Sequence, residues 1–202
     1  VETSNDNVSI YILDAKEGWL PLFGVNNRGD FVAMPTCYPF DNKSNKIVEN
    51  QINLLNLDID ILTKKKTINE ALELAKKNLI CSVDGITFQA QISSKQGDSL
   101  IIVPGQGYKY LVKPKFFVLT NFSPFKMDKE LHPWMGLDRY NKAMEMSKNS
   151  SIDFSINDMF SILKATSQEI CPTIVSMVFD ASENTLYWCE RREWNNIKVK
   201  KF

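Results

Sequence analysis

The sequence predicts an α+β fold in which antiparallel sheets stack on one another and helices lie outside. Strand-like runs come in blocks: an early block, one helix, a middle block, two helices and a closing hairpin. They do not alternate with helices as a doubly wound fold would require. The runs Leu100–Val103 and Phe116–Leu119 are apolar at every position, which suits a sheet covered on both faces. The chain has 202 residues, 44% of them hydrophobic and 24% charged, enough to bury one substantial core. No repeat or linker interrupts it, so residues 1–202 read as a single domain.

Val8-Ser9-Ile10-Tyr11-Ile12-Leu13 is rich in β-branched and aromatic types and ends in a polar turn at residues 14–18, which predicts a strand and a hairpin return. Trp19–Phe23, a turn over Gly24–Asp30 and Phe31–Met34 make a second hairpin, with asparagine and glycine supplying the turn. From Pro35 to Lys66 the pattern loosens, leaving room for one short helix. Thr67 and Glu70 have the spacing of a capping box, and Ile68, Ala71, Leu72, Ala75 and Leu79 follow at helical spacing, so a helix is expected over 67–79. Runs at 86–92, 99–103, 108–112 and 115–119, separated by glycine, proline or serine turns, predict a four-stranded meander. Leu137, Tyr140 and Met144 mark the next helix, and Ser155 caps another with Ile156, Met159, Phe160 and Leu163 on one stripe. Thr173–Phe179 and Thr185–Cys189 form a closing hairpin, followed by a last strand at 197–199.

Composition excludes several functions. Twenty-four basic side chains balance twenty-four acidic ones, so no net charge attracts a nucleic acid. No apolar run is long enough to span a bilayer, and the N-terminal residues lack the basic patch and apolar stretch of a signal peptide. Cys37, Cys81, Cys171 and Cys189 are widely spaced and His132 is the only histidine, so neither a metal site nor a cofactor is expected. Each cysteine sits in or beside an apolar stretch and reads as a small buried hydrophobe. Free thiols suit a reducing compartment, hence a cytoplasmic location. Val1 in place of methionine reads as a processed, trimmed or fragmentary start.

Generic catalytic templates go unfilled: there is no phosphate loop and no Gly-x-Ser-x-Gly elbow, and His132 beside Pro133 and Trp134 reads as a loop residue. Four local signatures, in order, carry more information. Gly24-Val25-Asn26-Asn27-Arg28-Gly29-Asp30 resembles the Gly-Met-Asn-Glu-Lys-Gly-Leu segment of the linear-amide C–N hydrolases, the group of choloylglycine (bile salt) hydrolases and penicillin V acylases. Gly97-Asp98-Ser99 with its apolar run is similar to that family's Gly-x-Ser hairpin, and Val118-Leu119-Thr120-Asn121 to its Leu-Thr-Asn strand end. Asp138-Arg139-Tyr140 takes the place of its Ser-Arg-Phe/Tyr helix start, and residues 173–189 match its closing strands.

This resemblance implies an N-terminal-nucleophile αββα sandwich whose N-terminal portion is incomplete, and cleavage of the amide of a small N-acyl substrate. In that family a chain-initial cysteine attacks the carbonyl while its α-amine handles the proton. Asn121 is then the oxyanion donor and Arg139 the site cation, both expected to be catalytic; the alternatives are a turn-forming asparagine and a surface pair of Arg139 with Asp138. Thr36 stands where bile salt hydrolases keep a second asparagine and, with Phe122 and Trp134, is expected to contact substrate. Phe125 and Met135 join the apolar acyl side, with core or loop packing as the other reading of these aromatics. Cys37 adjoins Thr36 but, being internal, has no α-amine, and Pro104 replaces the family's usual glutamate.

The nucleophile is therefore expected on a missing N-terminal segment or a complementing N-terminal chain, and loss of an early strand would favour a homo-oligomer. Hydrolase and acyltransferase chemistry both fit the layout. The competing function is a non-catalytic relative that keeps the scaffold and a ligand pocket.

Overall fold

A computed structural model of the chain describes residues 1–14, 18–38, 49–82, 87–125, 135–149 and 154–202. Strands β1 (Glu2–Thr3), β2 (Asn7–Asp14), β3 (Gly18–Asn26) and β4 (Phe31–Ala33) come first, then β5 (Ile52–Asn53) and helices α1 (Leu54–Leu62) and α2 (Ile68–Lys76). Next are β6 (Ile80–Cys81), β7 (Ala90–Ser93), β8 (Ser99–Val103) and β9 (Gly107–Leu111). Helices α3 (Leu137–Asn149) and α4 (Ile156–Ala165) lead into β10 (Val175–Asp180), β11 (Thr185–Glu190) and β12 (Lys198–Lys201).

One antiparallel sheet has the order β1-β2-β3-β4-β7-β8-β9, and β10-β11-β12 form a second. The parallel pair β5–β6 closes the base of the α1–α2 unit, with Ile52 opposite Ile80 and Asn53 opposite Cys81. Side-chain alternation along the strands stacks these parts. Val32, Met34, Ile92, Leu100 and Ile102 face α1 and α2, where they meet Leu54, Leu57, Ile61, Ile68, Ala71 and Ala75. The opposite face of the large sheet presents Val8, Val25 and Phe31 to Met177, Phe179, Leu186 and Trp188 of the small sheet. The neighbouring residues Val178, Tyr187 and Cys189 turn the other way, onto Ile156, Met159, Phe160 and Leu163 of α4. The result is four layers, helix on sheet on sheet on helix, as the block order of elements predicts.

Both expected caps form. Thr67 with Glu70, and Ser155 with Asp158, make complete capping boxes. The motif at 24–30 is a structural clamp. Asn26 is fully buried; its Nδ2 donates to Ile61 O at 2.8 Å and to Asp30 Oδ2 at 3.2 Å, while its Oδ1 accepts from the Arg28 and Asp30 amides. Arg28 adds Nε to Asp30 Oδ2 at 2.5 Å and Nη2 to Lys66 O at 2.6 Å. The β3–β4 turn is therefore tied to Ile61 O in the last turn of α1 and to Lys66 O in the link to α2.

Several expectations need correction. Strand β3 runs on through Asn26, so the turn is shorter than Gly24–Asp30. Helix α2 ends at Lys76, short of 79, because Asn78 takes a φ of +54°. The meander stops at β9: Lys113 at φ +41° followed by Pro114 turns the chain out of the ladder, and residues 116–120 run on without a strand partner. Of the four cysteines, all free, Cys37, Cys81 and Cys189 are buried, but Cys171 is exposed beside the fully exposed Ile170. Residues 14–18, 35–66 and 86–92 include stretches outside the described residues. No helix of the described residues is long and apolar enough to cross a membrane.

Candidate functional site

The segment that leaves the ladder after β9 delivers Asn121. Its backbone is pinned from two sides. Tyr38 N donates to Asn121 O at 2.7 Å, within a parallel bridge of Tyr38 to Phe122. The fully buried Gln89 donates Nε2 to Thr120 O at 2.5 Å and to Phe122 O at 3.3 Å. Thr36 is held in turn by an antiparallel bridge to Phe88, flanked by Cys37 N to Thr87 O at 2.7 Å and Gln89 N to Pro35 O at 3.0 Å.

These supports bring three of the residues singled out from the sequence into one hydrogen-bonded chain. Arg139 Nη2 donates to Asn121 Oδ1 at 2.7 Å. Asn121 Nδ2 donates to Thr36 Oγ1 at 2.9 Å and to Thr36 O at 3.1 Å. All three residues are half-buried. Burial lowers the Arg139 guanidinium from its ordinary value, with the exposed Asp138 pushing it back up; it stays protonated, since arginine does not lose its proton in proteins. Among the described residues no carboxylate forms an ion pair with Arg139, so its partner is the neutral amide and not Asp138. A half-buried cation bonded only to neutral groups can stabilise an anion that arrives beside it.

The first turn of α3 positions Arg139. Gly136 has φ +91°, and a Cβ there would lie 2.8 Å from Arg139 Nη2 and 3.1 Å from Thr120 Cβ. Gly136→Ala is therefore expected to cost about 1–3 kcal/mol through backbone strain and to push the guanidinium off Asn121. Thermal denaturation checks the cost; an unchanged melting temperature would refute it.

Phe122 is 3% exposed and packs edge-to-face on Tyr140, ring centroids 5.3 Å apart, so it fastens the asparagine segment to α3. Phe125 is exposed. Trp134 and His132 lie outside the described residues. Cys37 adjoins Thr36 in sequence but is fully buried, and burial pushes its thiol up to about 12, which removes it as a thiolate nucleophile near neutral pH. Gln89 escapes a reading from sequence. Nothing local separates it from Gln91, two residues on in the same run 86–92.

No family model and no curated protein matches the sequence. Solved structures do. A mutant of conjugated bile acid hydrolase from Clostridium perfringens superposes with TM-score 0.65 at 14% identity, over 94% of this chain and 74% of that one. A second variant of that enzyme gives TM-score 0.64 at 13% identity, over 93% and 74%. Penicillin V acylase from Agrobacterium tumefaciens gives 0.62 at 16% identity, over 91% of this chain and 66% of that one. Both are linear-amide C–N hydrolases, and the αββα layering here is their N-terminal-nucleophile hydrolase fold.

Proposed function

We propose that these 202 residues are the scaffold and oxyanion-stabilising part of a hydrolase that cleaves the C–N bond of a small N-acyl amide. The attacking cysteine comes from polypeptide beyond them, either preceding Val1 or on a separate chain. The observation that carries this reading is the Arg139–Asn121–Thr36 chain, a guanidinium linked at 2.7 Å and 2.9 Å through an amide to a hydroxyl, on a fold shared with two amide hydrolases. Two further facts support it. The matched hydrolases are longer than this chain, which spans 74% and 66% of them. And Cys37, beside Thr36, is held as a thiol by its burial.

In this reading a cysteine thiolate forms a C–S bond to the substrate carbonyl, and the carbonyl electron pair moves onto oxygen beside the Thr36–Asn121–Arg139 chain. Collapse breaks the C–N bond, the amine leaves with the proton held by the cysteine's own α-amine, and water hydrolyses the thioester to acid and thiol. Transfer to a different acceptor amine would make the same chain an acyltransferase.

The test is amine release from a panel of N-acyl substrates by the intact source protein. Arg139→Ala and Asn121→Ala should each lower kcat by about 10²–10³-fold. Unchanged rates would remove both residues from the site, and no turnover by an intact protein that begins near Val1 would leave a non-catalytic relative.

A further inference from the structure

Gln89 follows the Thr36–Phe88 bridge, precedes β7 and is fully buried. Its side-chain nitrogen meets Thr120 O at 2.5 Å and Phe122 O at 3.3 Å; both partners are carbonyl acceptors, so the atom facing them is Nε2 and not Oε1. Oε1 is buried as well and has no hydrogen-bond partner among the described residues. A buried acceptor without a donor opposes folding, so packing alone does not account for an amide at this position.

The arm that leads into Asn121 depends on this side chain. Among the described residues no backbone–backbone hydrogen bond reaches residues 115–120. A carbonyl held in place fixes the peptide plane to which it belongs. Gln89 therefore sets the plane before Asn121 through Thr120 O, while Tyr38 N, donating to Asn121 O at 2.7 Å, sets the plane after it. With both planes held, the direction in which Asn121 projects its side chain is held too. The main chain of Gln89 completes the link, because its N–H donates to Pro35 O at 3.0 Å, next to Thr36.

We infer that Gln89 is a positioning residue of the reaction: its side-chain amide and its own N–H hold the Asn121 segment and the Thr36 segment in register. This rests on the amide-hydrolase reading above and adds to it a residue buried too deeply to touch substrate. The residue type suits the task. A primary amide nitrogen carries two hydrogens and faces two carbonyls; a leucine would leave both carbonyls bare, and a lysine would bring an unpaired charge into the core. The register matters because displacing a reacting group by about 1 Å can cost about 10²-fold in rate.

Three variants of the intact source protein, Gln89→Met, Gln89→Glu and Gln91→Leu, separate this from a merely structural role. The readouts are amine release from the best substrate of the panel above, over a range of pH, and amide hydrogen exchange. Gln89→Met keeps the length and loses the donor; kcat should fall about 10–100-fold while KM stays within about threefold. The Tyr38 N–H, which donates to Asn121 O, should exchange about tenfold faster or more. Gln91→Leu, whose wild-type side chain reaches Ser93 Oγ at 3.2 Å, should leave both readouts unchanged. In Gln89→Glu a protonated carboxyl still donates one hydrogen and a carboxylate none, so kcat relative to wild type should be highest in acid. It should fall about tenfold as pH rises past the glutamate value, which burial raises. Gln89→Met, which buries no charge, decides the matter if the glutamate variant does not fold. A Gln89→Met protein that melts at a lower temperature but keeps wild-type kcat and wild-type Tyr38 exchange would overturn the assignment and leave the hydrolase reading standing. No turnover of any panel member by the intact wild-type protein would overturn the hydrolase reading and this assignment with it.

Discussion

As pH rises above the ordinary aspartate value the protein should lose stability relative to an Asp58→Asn variant, by about 1.4 kcal/mol for each pH unit between that value and the raised folded one. Asp58 lies on the buried face of α1 beside Leu54, Leu57 and Ile61; it is fully buried, and neither carboxylate oxygen has a hydrogen-bond partner. Burial with no compensating donor raises its pKa well above the usual carboxylate range. In acid the group is protonated in both the folded and unfolded chains and favours neither. Once the pH passes the unfolded value, near 3.9, only the unfolded chain releases its proton freely, so unfolding gains free energy until the folded value is reached. Asparagine has the same shape and does not titrate. The two proteins should therefore be close in stability near pH 4 and diverge above it, in favour of the variant. Urea denaturation at a series of pH values measures the difference, and parallel profiles would show that Asp58 has a partner in solution.

Trp188→Ala should cost about 3–5 kcal/mol, the cost of emptying a large aromatic site in a core. Trp188 is 7% exposed and fills the space between the two sheets with Val8, Val25 and Leu186; its indole N–H reaches Glu190 Oε1 at 3.3 Å. This contact joins the first strands of the chain to the closing hairpin, so its loss loosens the layer interface and not one strand alone. Trp188→Phe keeps most of the apolar volume and should cost markedly less. Equilibrium denaturation of the three proteins decides this; a loss below about 1 kcal/mol in the alanine variant would mean that the sheets close over the gap. The contrast with Asp58 is instructive. Deleting the tryptophan removes favourable burial, whereas changing Asp58 removes a group whose burial opposes folding once it is charged.

The layer order was legible in the sequence wherever periodicity ran long. The Leu186/Trp188 and Tyr187/Cys189 alternation separates two faces of one strand, and the Thr67–Glu70 and Ser155–Asp158 boxes start their helices at the expected residues. Phe116–Leu119 misled because β-branched and aromatic types mark apolar packing, and whether a ladder forms depends on a partner strand that Lys113 and Pro114 turn the segment away from. Asn121, Arg139 and Thr36 were legible as motif positions, and Gln89 was not, since an amide that holds two carbonyls of a distant segment leaves no local pattern.

By itself, the sequence determined the elements, their alternating faces and the residue types available for a site, because those follow from local sterics and from burial of one face. Only the tertiary structure decided that Asn26 clamps a helix end and that the Asn121 amide meets Thr36 through its nitrogen and Arg139 through its oxygen. Those are matters of which atom meets which across 18 to 85 residues of chain, and hydrogen-bond direction at a half-buried amide is set by the neighbours that folding brings, not by the residues beside it in sequence.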